Sequence, residues 1–217
     1  MSATGDARPT GDARPTVAAF DVDGTLTTRD CVVPFMRRVT GARRIATRLG
    51  VRPDRALPTL VRRDRDRLKS LAAAAAFRGL SDESVRRQAQ PFARHVHDHW
   101  LRPDVLDVFR RHGDDGHRRV LVSASFAVYL QPLAELIGAD AVLATRLHVT
   151  DDGILSGALD GPNCRGPEKV RRLHEWLDRD LGGRGSVRVV AYGDSSGDRE
   201  LLADADEAHW VGRAGAA

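Results

Sequence analysis

The sequence predicts an α/β fold, a doubly wound parallel sheet with an α-helical cap inserted after its first strand. From residue 101 onward, short apolar runs alternate with amphipathic segments, as strands and helices do around a parallel sheet. Between residues 30 and 100, apolar residues instead recur at helical spacing and strand-like alternation is absent. The predicted domains are therefore a core formed by residues 17–29 and 101–217 and a helical cap formed by residues 30–100.

The N-terminal residues differ from both predicted domains. Residues 4–9 and 10–15 repeat the hexapeptide Thr-Gly-Asp-Ala-Arg-Pro, which is polar and rich in turn-forming residues. This composition predicts a disordered leader over residues 1–16. The apolar run Val17–Phe20 follows and predicts the first buried strand.

The remaining elements follow from local patterns. In the cap, Ser81 precedes two acidic residues and predicts a helix start. In the core, Asp151-Asp152-Gly153 is typical of a hairpin turn. The elements expected after the cap are, in order, a helix over 104–112, a strand over 119–122, a helix over 127–137, a strand over 141–144, a hairpin over 145–160, a helix over 168–178, a strand over 187–191, a helix over 198–203 and a strand over 208–211.

Composition restricts the class of protein. The 217 residues are 41% hydrophobic and 29% charged, which is typical of a soluble globular protein. No run of 18 apolar residues is present, so no membrane span is expected, and the N-terminus does not have the pattern of a secretory signal. Cys31 and Cys164 are too few for a disulfide framework or a zinc site. A cytoplasmic location is the resulting prediction.

Basic residues are unevenly distributed. The formal net charge is +4, yet residues 37–69 hold twelve Lys or Arg against three Asp, a local charge of +9. This stretch is either a solvated helical surface or a face for phosphate-bearing ligands, nucleic acid or anionic lipid. Because it lacks interleaved aromatic residues, no stable nucleic-acid complex is expected, whereas peripheral lipid contact stays open.

Lysine is rare in this arginine-rich chain. Of its 34 basic residues, two are lysines, Lys69 and Lys169. A lysine is a compact point charge, whereas arginine presents a broad planar fork. Each lysine therefore either serves a pocket that needs one ammonium group or is present by chance. Lys169 begins a predicted helix, where a cation gains nothing from the helix dipole, and this favours a functional role.

The acidic turn after the first strand is the strongest functional signal. Asp21 and Asp23 are two residues apart, so at the end of a strand their carboxyl groups face the same way. Two such charges 4 Å apart repel by about 4 kcal/mol at an effective dielectric constant of 20. A hard divalent cation such as Mg²⁺ would offset that repulsion. The alternative interpretation is an ordinary exit from a strand into a turn.

Further polar residues follow other predicted strands. Ser123 ends one strand and Asp194 ends another, and ligands of doubly wound sheets bind at the carboxyl ends of strands. Asp194 is a candidate to complete an oxygen-only metal site with Asp21. Asp198 follows one helical turn later, and the alternative role for it is to cap its helix.

In order and spacing these motifs resemble the haloacid dehalogenase-like (HAD) phosphohydrolase superfamily. The residues that carry the resemblance are Asp-Val-Asp-Gly-Thr over 21–25, Ser123, Lys169 and Gly-Asp-Ser-Ser-Gly-Asp over 193–198, and the match spans residues 17–211. A helical cap between the first and second motifs is similar to that of subfamily IB, which includes phosphoserine phosphatase-like enzymes. The resemblance implies a Rossmann-like core and a Mg²⁺-dependent phosphatase that hydrolyses a phosphate monoester.

The resemblance also implies roles for the motif residues. Asp21 would attack phosphorus and form an aspartyl-phosphate, and Asp23 would act as general acid and base. Ser123 and Lys169 would bind the phosphoryl oxygens. The expected Mg²⁺ ligands are Asp21, the carbonyl of Asp23 and Asp194, and the expected supporting residue is Asp198, which would orient Lys169 or a metal-bound water.

This chain departs from the phosphoserine phosphatase pattern at several positions. Ser195 and Gly197 stand where glycine and asparagine are typical, and Asp30 and Lys69 lie near the positions of the cap glutamate and arginine that hold the serine moiety. Asp30 and Lys69 are thus the candidate cap residues for substrate specificity. Alternatives left open are a phosphotransferase, a phospholipid-headgroup phosphatase and a non-catalytic module that binds nucleic acid or an anionic ligand.

Overall fold

The computed structural model describes residues 14–41 and 65–212, with side chains of the second range from residue 69. Most of the expected leader and the central part of the basic stretch, residues 42–64, lie outside the described residues. The described elements form a mixed α/β fold, as the sequence predicts. The strands are β1 (Thr16–Phe20), β2 (Arg118–Phe126), β3 (Ala141–Val149), β4 (Leu155–Asp160), β5 (Arg188–Gly193) and β6 (Glu207–Trp210).

These strands form one sheet in the order β4-β3-β2-β1-β5-β6. All neighbouring strands are parallel except β3 and β4, which are antiparallel and form the predicted hairpin. The first strand of the chain is therefore central, with β2 on one side and β5 on the other. This order places the carboxyl ends of β2, β1 and β5 next to each other at one edge of the sheet.

Helices cover both faces of the sheet. The helices of the described residues are α1 (Val32–Thr40), α2 (Arg65–Phe77), α3 (Asp82–His99), α4 (Pro103–Asp114), α5 (Ala127–Ile137), α6 (Pro167–Leu181) and α7 (Arg199–Asp204), with a 3₁₀ turn at Arg184–Ser186. Along β1, Ala18 and Phe20 belong to one apolar core, whereas Val17 and Ala19 belong to the core on the opposite face. This alternation is the two-residue period of a strand that is buried on both faces.

Of the described helices, α1, α2 and α3 lie in the range 30–100, for which we keep the name cap. Phe35 of α1 packs against Phe92 of α3 at 5.1 Å between ring centroids and against Tyr129 of α5 at 4.7 Å. The cap therefore shares an aromatic cluster with a helix of the core. Two backbone hydrogen bonds join the chain segments that enter and leave the cap, from Thr28 N to the Trp100 carbonyl and from Arg102 N to the Leu26 carbonyl.

Two of the differences from the predicted boundaries concern the expected leader and β2. Within the expected leader, Thr16 already belongs to β1, and Arg14 forms an ion pair with Asp206 at 3.1 Å. The strand expected to end at Ser123 continues to Phe126, because β2 contains an irregularity after Ser123 rather than an end. Among the described helices, none combines the length and the apolar character needed to cross a membrane.

His112 of α4 is half-buried and contacts two polar side chains. Its Nε2 lies 2.9 Å from the Tyr192 hydroxyl, and its Nδ1 lies 2.8 Å from Nδ1 of His117. Burial, with the charge of His117, lowers the pKa of His112 from its ordinary value of 6.5 to about 4. Between these two pH values the unfolded chain binds a proton that the folded chain does not, so stability falls as the pH falls.

We expect His112→Gln to remove this acid sensitivity. Because His112 is only half-buried, solvent screening limits the expected effect to about 1 to 2 kcal/mol of the free energy of unfolding lost between pH 6.5 and pH 4. Urea unfolding of the wild type and the variant across this range measures it. The control is His99→Gln, an exposed histidine, which should follow the wild type. Parallel pH curves for wild type and His112→Gln would contradict the prediction.

Candidate active site

The predicted site residues converge at the carboxyl edge of the sheet. Asp21 follows β1 directly, Ser123 lies in β2 and Asp194 follows β5. Since β1 lies between β2 and β5, these side chains come from three adjacent strands. The backbone N–H of Asp21 donates to the Tyr192 carbonyl at 2.9 Å, so the sheet pairing extends up to the acidic turn.

Asp21 is held at both carboxylate oxygens. Its Oδ1 accepts a hydrogen bond from Lys169 Nζ at 2.6 Å, and its Oδ2 accepts one from the Thr25 hydroxyl at 3.1 Å. The residue is 6% exposed. Burial raises the pKa of Asp21 to about 6, while the charge of Lys169 opposes that rise and the charge of Asp198 adds to it. A nearby cation therefore favours the ionised form of this carboxyl group.

Lys169 is the buried cation of the site. It lies in the first turns of α6, and its Nζ donates to Asp21 Oδ1 and to Asp198 Oδ1, each at 2.6 Å. Burial alone would lower the pKa of Lys169, but the two carboxylates outweigh it and raise that pKa above its ordinary value. The ammonium group is therefore charged and directed at the carboxyl edge of the sheet.

Three carboxylates form an acidic group around this edge. One oxygen from each of Asp21, Asp194 and Asp198 lies within 4.8 Å of the other two. Asp198 occupies the N-cap position of α7, yet its side chain makes no capping hydrogen bond there. Instead its Oδ2 accepts from the backbone N–H and the hydroxyl of Ser195, at 2.9 and 2.7 Å. Asp198 is thus engaged by both Lys169 and Ser195, in addition to its place in the acidic group.

The residues of this acidic group fit a magnesium ion. All three offer carboxylate oxygens, the ligand type that Mg²⁺ prefers. Gly24 contributes by its lack of a side chain, since a Cβ atom there would lie 2.3 Å from Asp194 Oδ2. The Asp194 carboxylate therefore packs directly against the acidic turn, and the conformation of Gly24, with φ of +89°, is one that favours glycine.

Asp23 has a different environment from Asp21. Its Oδ1 accepts a hydrogen bond from the backbone N–H of Cys31 at 3.0 Å, and its Oδ2 accepts one from the Ser125 hydroxyl. Burial, followed by the nearby charge of Asp30, raises the pKa of Asp23 to about 7. A carboxyl group with such a pKa can both give and take a proton near neutral pH.

The two candidate phosphate-binding residues lie at the same cleft. Ser123 is 1% exposed, and its Oγ accepts a hydrogen bond from the backbone N–H of Ser125 at 3.1 Å. With one lone pair engaged in this way, its own O–H can be donated to an anion. Ser123 and Lys169 both line the cleft that Asp21 and Asp194 line, so the geometry brings the four candidates together.

The two cap candidates line the same cleft as Asp21. Lys69 of α2 donates to Asn163 Oδ1 at 2.9 Å, and its Nζ lies 4.8 Å from the centre of the Phe126 ring. It therefore spans the cleft from cap to core. Asp30 is exposed, and its Oδ1 accepts hydrogen bonds from the N–H groups of Val32 and Val33 at the start of α1. The carboxylate of Asp30 thus has a helix-capping contact in addition to its place in the cleft wall.

The cleft between cap and core has a volume of about 600 Å³. Its lining includes the acidic group and Lys169. It also includes apolar side chains of α1 and α2, namely Val32, Val33, Met36 and Ala72. The cleft can therefore accept a ligand that has both a charged group and a partly apolar one.

Sequence reasoning missed several residues that contact the candidates. Thr25 donates to Asp21, Ser125 donates to Asp23, and Asn163 accepts from Lys69. The one local signal was that Thr25 and Ser125 stand in the motifs around Asp21 and Ser123. Nothing local distinguishes Asn163, because its contact depends on how the cap packs on the core.

Comparison with known proteins gives a family match. A family model described as haloacid dehalogenase-like hydrolase matches residues 18–203. Among curated proteins, the chain is 39% identical over 196 residues to protein CicA of Caulobacter vibrioides (strain NA1000 / CB15N). The aligned residues cover 88% of this chain and 83% of that protein.

Solved structures share the fold. A protein of unknown function from Bordetella pertussis Tohama I superposes with a TM-score of 0.66 at 24% identity, covering 88% of this chain and 86% of that one. A phospho-aspartyl intermediate analogue of phosphoserine phosphatase superposes with a TM-score of 0.56 at 19% identity, covering 88% and 84%. At such identities both similarities concern the fold alone.

Gly24→Ala is expected to weaken Mg²⁺ binding at least about tenfold, because the added methyl group must displace Asp194. The matched control is Gly116→Ala, since Gly116 also has a positive φ, of +75°, but has open space around its Cα. Both variants should lose about 1 to 2 kcal/mol of stability from backbone strain. Calorimetric titration with Mg²⁺ distinguishes them, and equal affinities of the two variants would refute the assignment of Asp194 to the metal site.

Proposed function

The chain belongs to the haloacid dehalogenase-like hydrolases, and from this premise we propose that it is a Mg²⁺-dependent phosphatase of a phosphate monoester. The observation that carries the proposal is the buried contact of Lys169 with Asp21, at 2.6 Å, beside Asp194. A carboxylate approaches a phosphate dianion only where positive charge offsets their repulsion. The described site holds that arrangement at the end of the central strand.

In the proposed reaction Asp21 is the nucleophile. Its carboxylate attacks phosphorus, the bond to the ester oxygen breaks, and an aspartyl-phosphate forms on Asp21. The hydrogen bonds from Lys169 and Thr25 orient the carboxylate for this attack. Lys169 and the Ser123 hydroxyl bind the phosphoryl oxygens, which places phosphorus next to Asp21.

Asp23 moves the proton in both halves of the reaction. It first gives its proton to the leaving ester oxygen, so the leaving group departs as an alcohol. The resulting carboxylate then takes a proton from a water molecule that attacks the phosphorus of the aspartyl-phosphate. Phosphate is released, and Asp21 returns to its carboxylate form. The pKa of about 7 that burial produces at Asp23 suits this double role.

Magnesium would be held by Asp21, the backbone carbonyl of Asp23 and Asp194. When bound, it supplies positive charge that offsets the repulsion between the phosphate and the carboxylates. Asp198 supports the site through Lys169, because its Oδ1 accepts a hydrogen bond from Lys169 Nζ at 2.6 Å. Its proposed role is to orient the ammonium group rather than to bind the metal.

The proposed substrate is a small phosphorylated molecule whose leaving group occupies the cleft beneath the cap. Lys69 lies in the wall of this cleft together with apolar residues of α1. We assign Lys69 to substrate selection and retain Asp30 as a second cap candidate. A phospholipid headgroup is one leaving group compatible with a cleft of about 600 Å³.

A cytoplasmic location fits the two free cysteines, Cys31 and Cys164.

Asp21→Asn is expected to lower hydrolysis of p-nitrophenyl phosphate by at least about a thousandfold, because the amide is not a nucleophile. The variant should still fold, and it should lose the thermal stabilisation that beryllium fluoride with Mg²⁺ gives the wild type. Asp107→Asn, at an exposed residue of α4, is the control and should retain full activity. Normal turnover by Asp21→Asn would rule out the proposed mechanism.

Lys69→Met is expected to change selectivity among phosphate esters by about tenfold or more, with little effect on p-nitrophenyl phosphate, because Lys69 contacts Asn163 and the cleft wall rather than Asp21. The measurement is kcat/KM of wild type and variant over a panel of phosphorylated metabolites and headgroups. Arg86→Met on the outer surface of α3 is the control. Equal losses on every ester would exclude Lys69 from substrate selection.

A further inference from the structure

Ser125 is in contact with two residues of the site, yet no step of the proposed reaction uses its side chain. It is fully buried. Its hydroxyl donates a hydrogen bond to Asp23 Oδ2, and its backbone N–H donates to Ser123 Oγ at 3.1 Å. One residue of β2 therefore touches both the candidate acid and a candidate phosphate-binding group.

An irregularity in β2 places Ser125 there. Ser123 pairs with Ala144 of β3, whereas Phe126 pairs with the next residue, Thr145. The two residues between Ser123 and Phe126 therefore have no strand-pairing partner in β3. The freed carbonyl of Ala124 accepts a hydrogen bond from the Thr145 hydroxyl at 2.9 Å. Bulges of this kind redirect side chains at the end of a strand. Here the bulge folds Ser125 back over Ser123 and directs its hydroxyl to the neighbouring acidic turn.

The contact restrains the carboxyl group of Asp23. A carboxyl group turns about its Cβ–Cγ bond unless both oxygens are held. Cys31 N–H holds Oδ1 from the start of the cap, and Ser125 holds Oδ2 from the core. Without the Ser125 hydroxyl, one anchor remains and the carboxyl group can rotate away from the leaving oxygen. Small errors of position at a reacting group lower rates strongly.

We propose that Ser125 is a positioning residue whose hydroxyl fixes the Asp23 carboxyl group for proton transfer to the leaving oxygen. The inference rests on the proposed function, since it assigns a partner to the acid of that reaction. The proton passes from Asp23 to the ester oxygen as the bond to phosphorus breaks, and Ser125 gains and loses none. The contribution of Ser125 should therefore depend on how much the leaving oxygen needs a proton.

The test compares two aryl esters whose leaving oxygens differ in their need for a proton. Phenolate from phenyl phosphate is a poor leaving group that needs the proton, whereas 2,4-dinitrophenolate leaves without it. Ser125→Ala removes the hydroxyl and retains the N–H that donates to Ser123. We expect kcat/KM for phenyl phosphate to fall about 10- to 100-fold and kcat/KM for 2,4-dinitrophenyl phosphate to fall less than about threefold. This parameter excludes the later hydrolysis of the aspartyl-phosphate, in which Asp23 also acts.

Thr145→Val is the matched control, because it removes another buried hydroxyl, one that contacts the bulge from β3, without touching Asp23. It should lower kcat/KM for both esters by the same factor. A second variant, Ser125→Cys, keeps the shape of the side chain but donates a much weaker hydrogen bond, and it should reproduce the leaving-group dependence of Ser125→Ala. Thermal unfolding verifies that each variant is folded.

Two outcomes would overturn the inference, and they differ in what else they overturn. If the wild type hydrolyses both esters and the Ser125 variants lose the same factor on each, Ser125 does not position the acid, and the proposed function stands. If the wild type hydrolyses neither ester in the presence of Mg²⁺, the proposed function itself fails, together with the role of Ser125.

Discussion

The buried ammonium group of Lys169 is the interaction on which the site depends. It lies between Asp21 and Asp198, at 2.6 Å from an oxygen of each, and all three side chains are nearly inaccessible to solvent. Taking such charges out of water is costly, and apolar residues of the same volume often stabilise a fold as well or better. Stability alone therefore gives no reason for this arrangement. A reaction in which a carboxylate must approach a phosphate gives such a reason, because positive charge offsets the repulsion between the two groups.

The parallel sheet makes the arrangement possible. Its strand order places the ends of β2, β1 and β5 side by side, so residues distant in sequence share one edge. Asp21 comes from the central strand, which is buried on both faces and cannot shift without disturbing both apolar cores. The two aspartates of the acidic turn then differ by their neighbours. Asp21 lies beside the ammonium group, whereas Asp23 is held by the Cys31 N–H and the Ser125 hydroxyl.

The cap supplies part of the cleft wall, and in the proposed function it takes part in substrate choice. It packs on the core through the aromatic cluster around Phe35 and Tyr129, and its α2 directs Lys69 across the cleft to Asn163. The start of α1 also supplies the Cys31 N–H that binds Asp23. The acid of the proposed reaction is thus anchored partly by the cap and partly by the core.

By itself the sequence determined the fold class and the main candidates of the site. Apolar periodicity predicts strands and helices. The spacing of Asp21 and Asp23 after a buried strand predicts that their carboxyl groups face the same way. Only the tertiary structure decided the contacts of Ser125 and Asn163, and the engagement of Asp198 by Lys169 in place of a helix cap. The reason is physical. A pattern within one element depends on neighbours in the chain, whereas a bulge in β2 and the packing of the cap depend on residues far away in sequence.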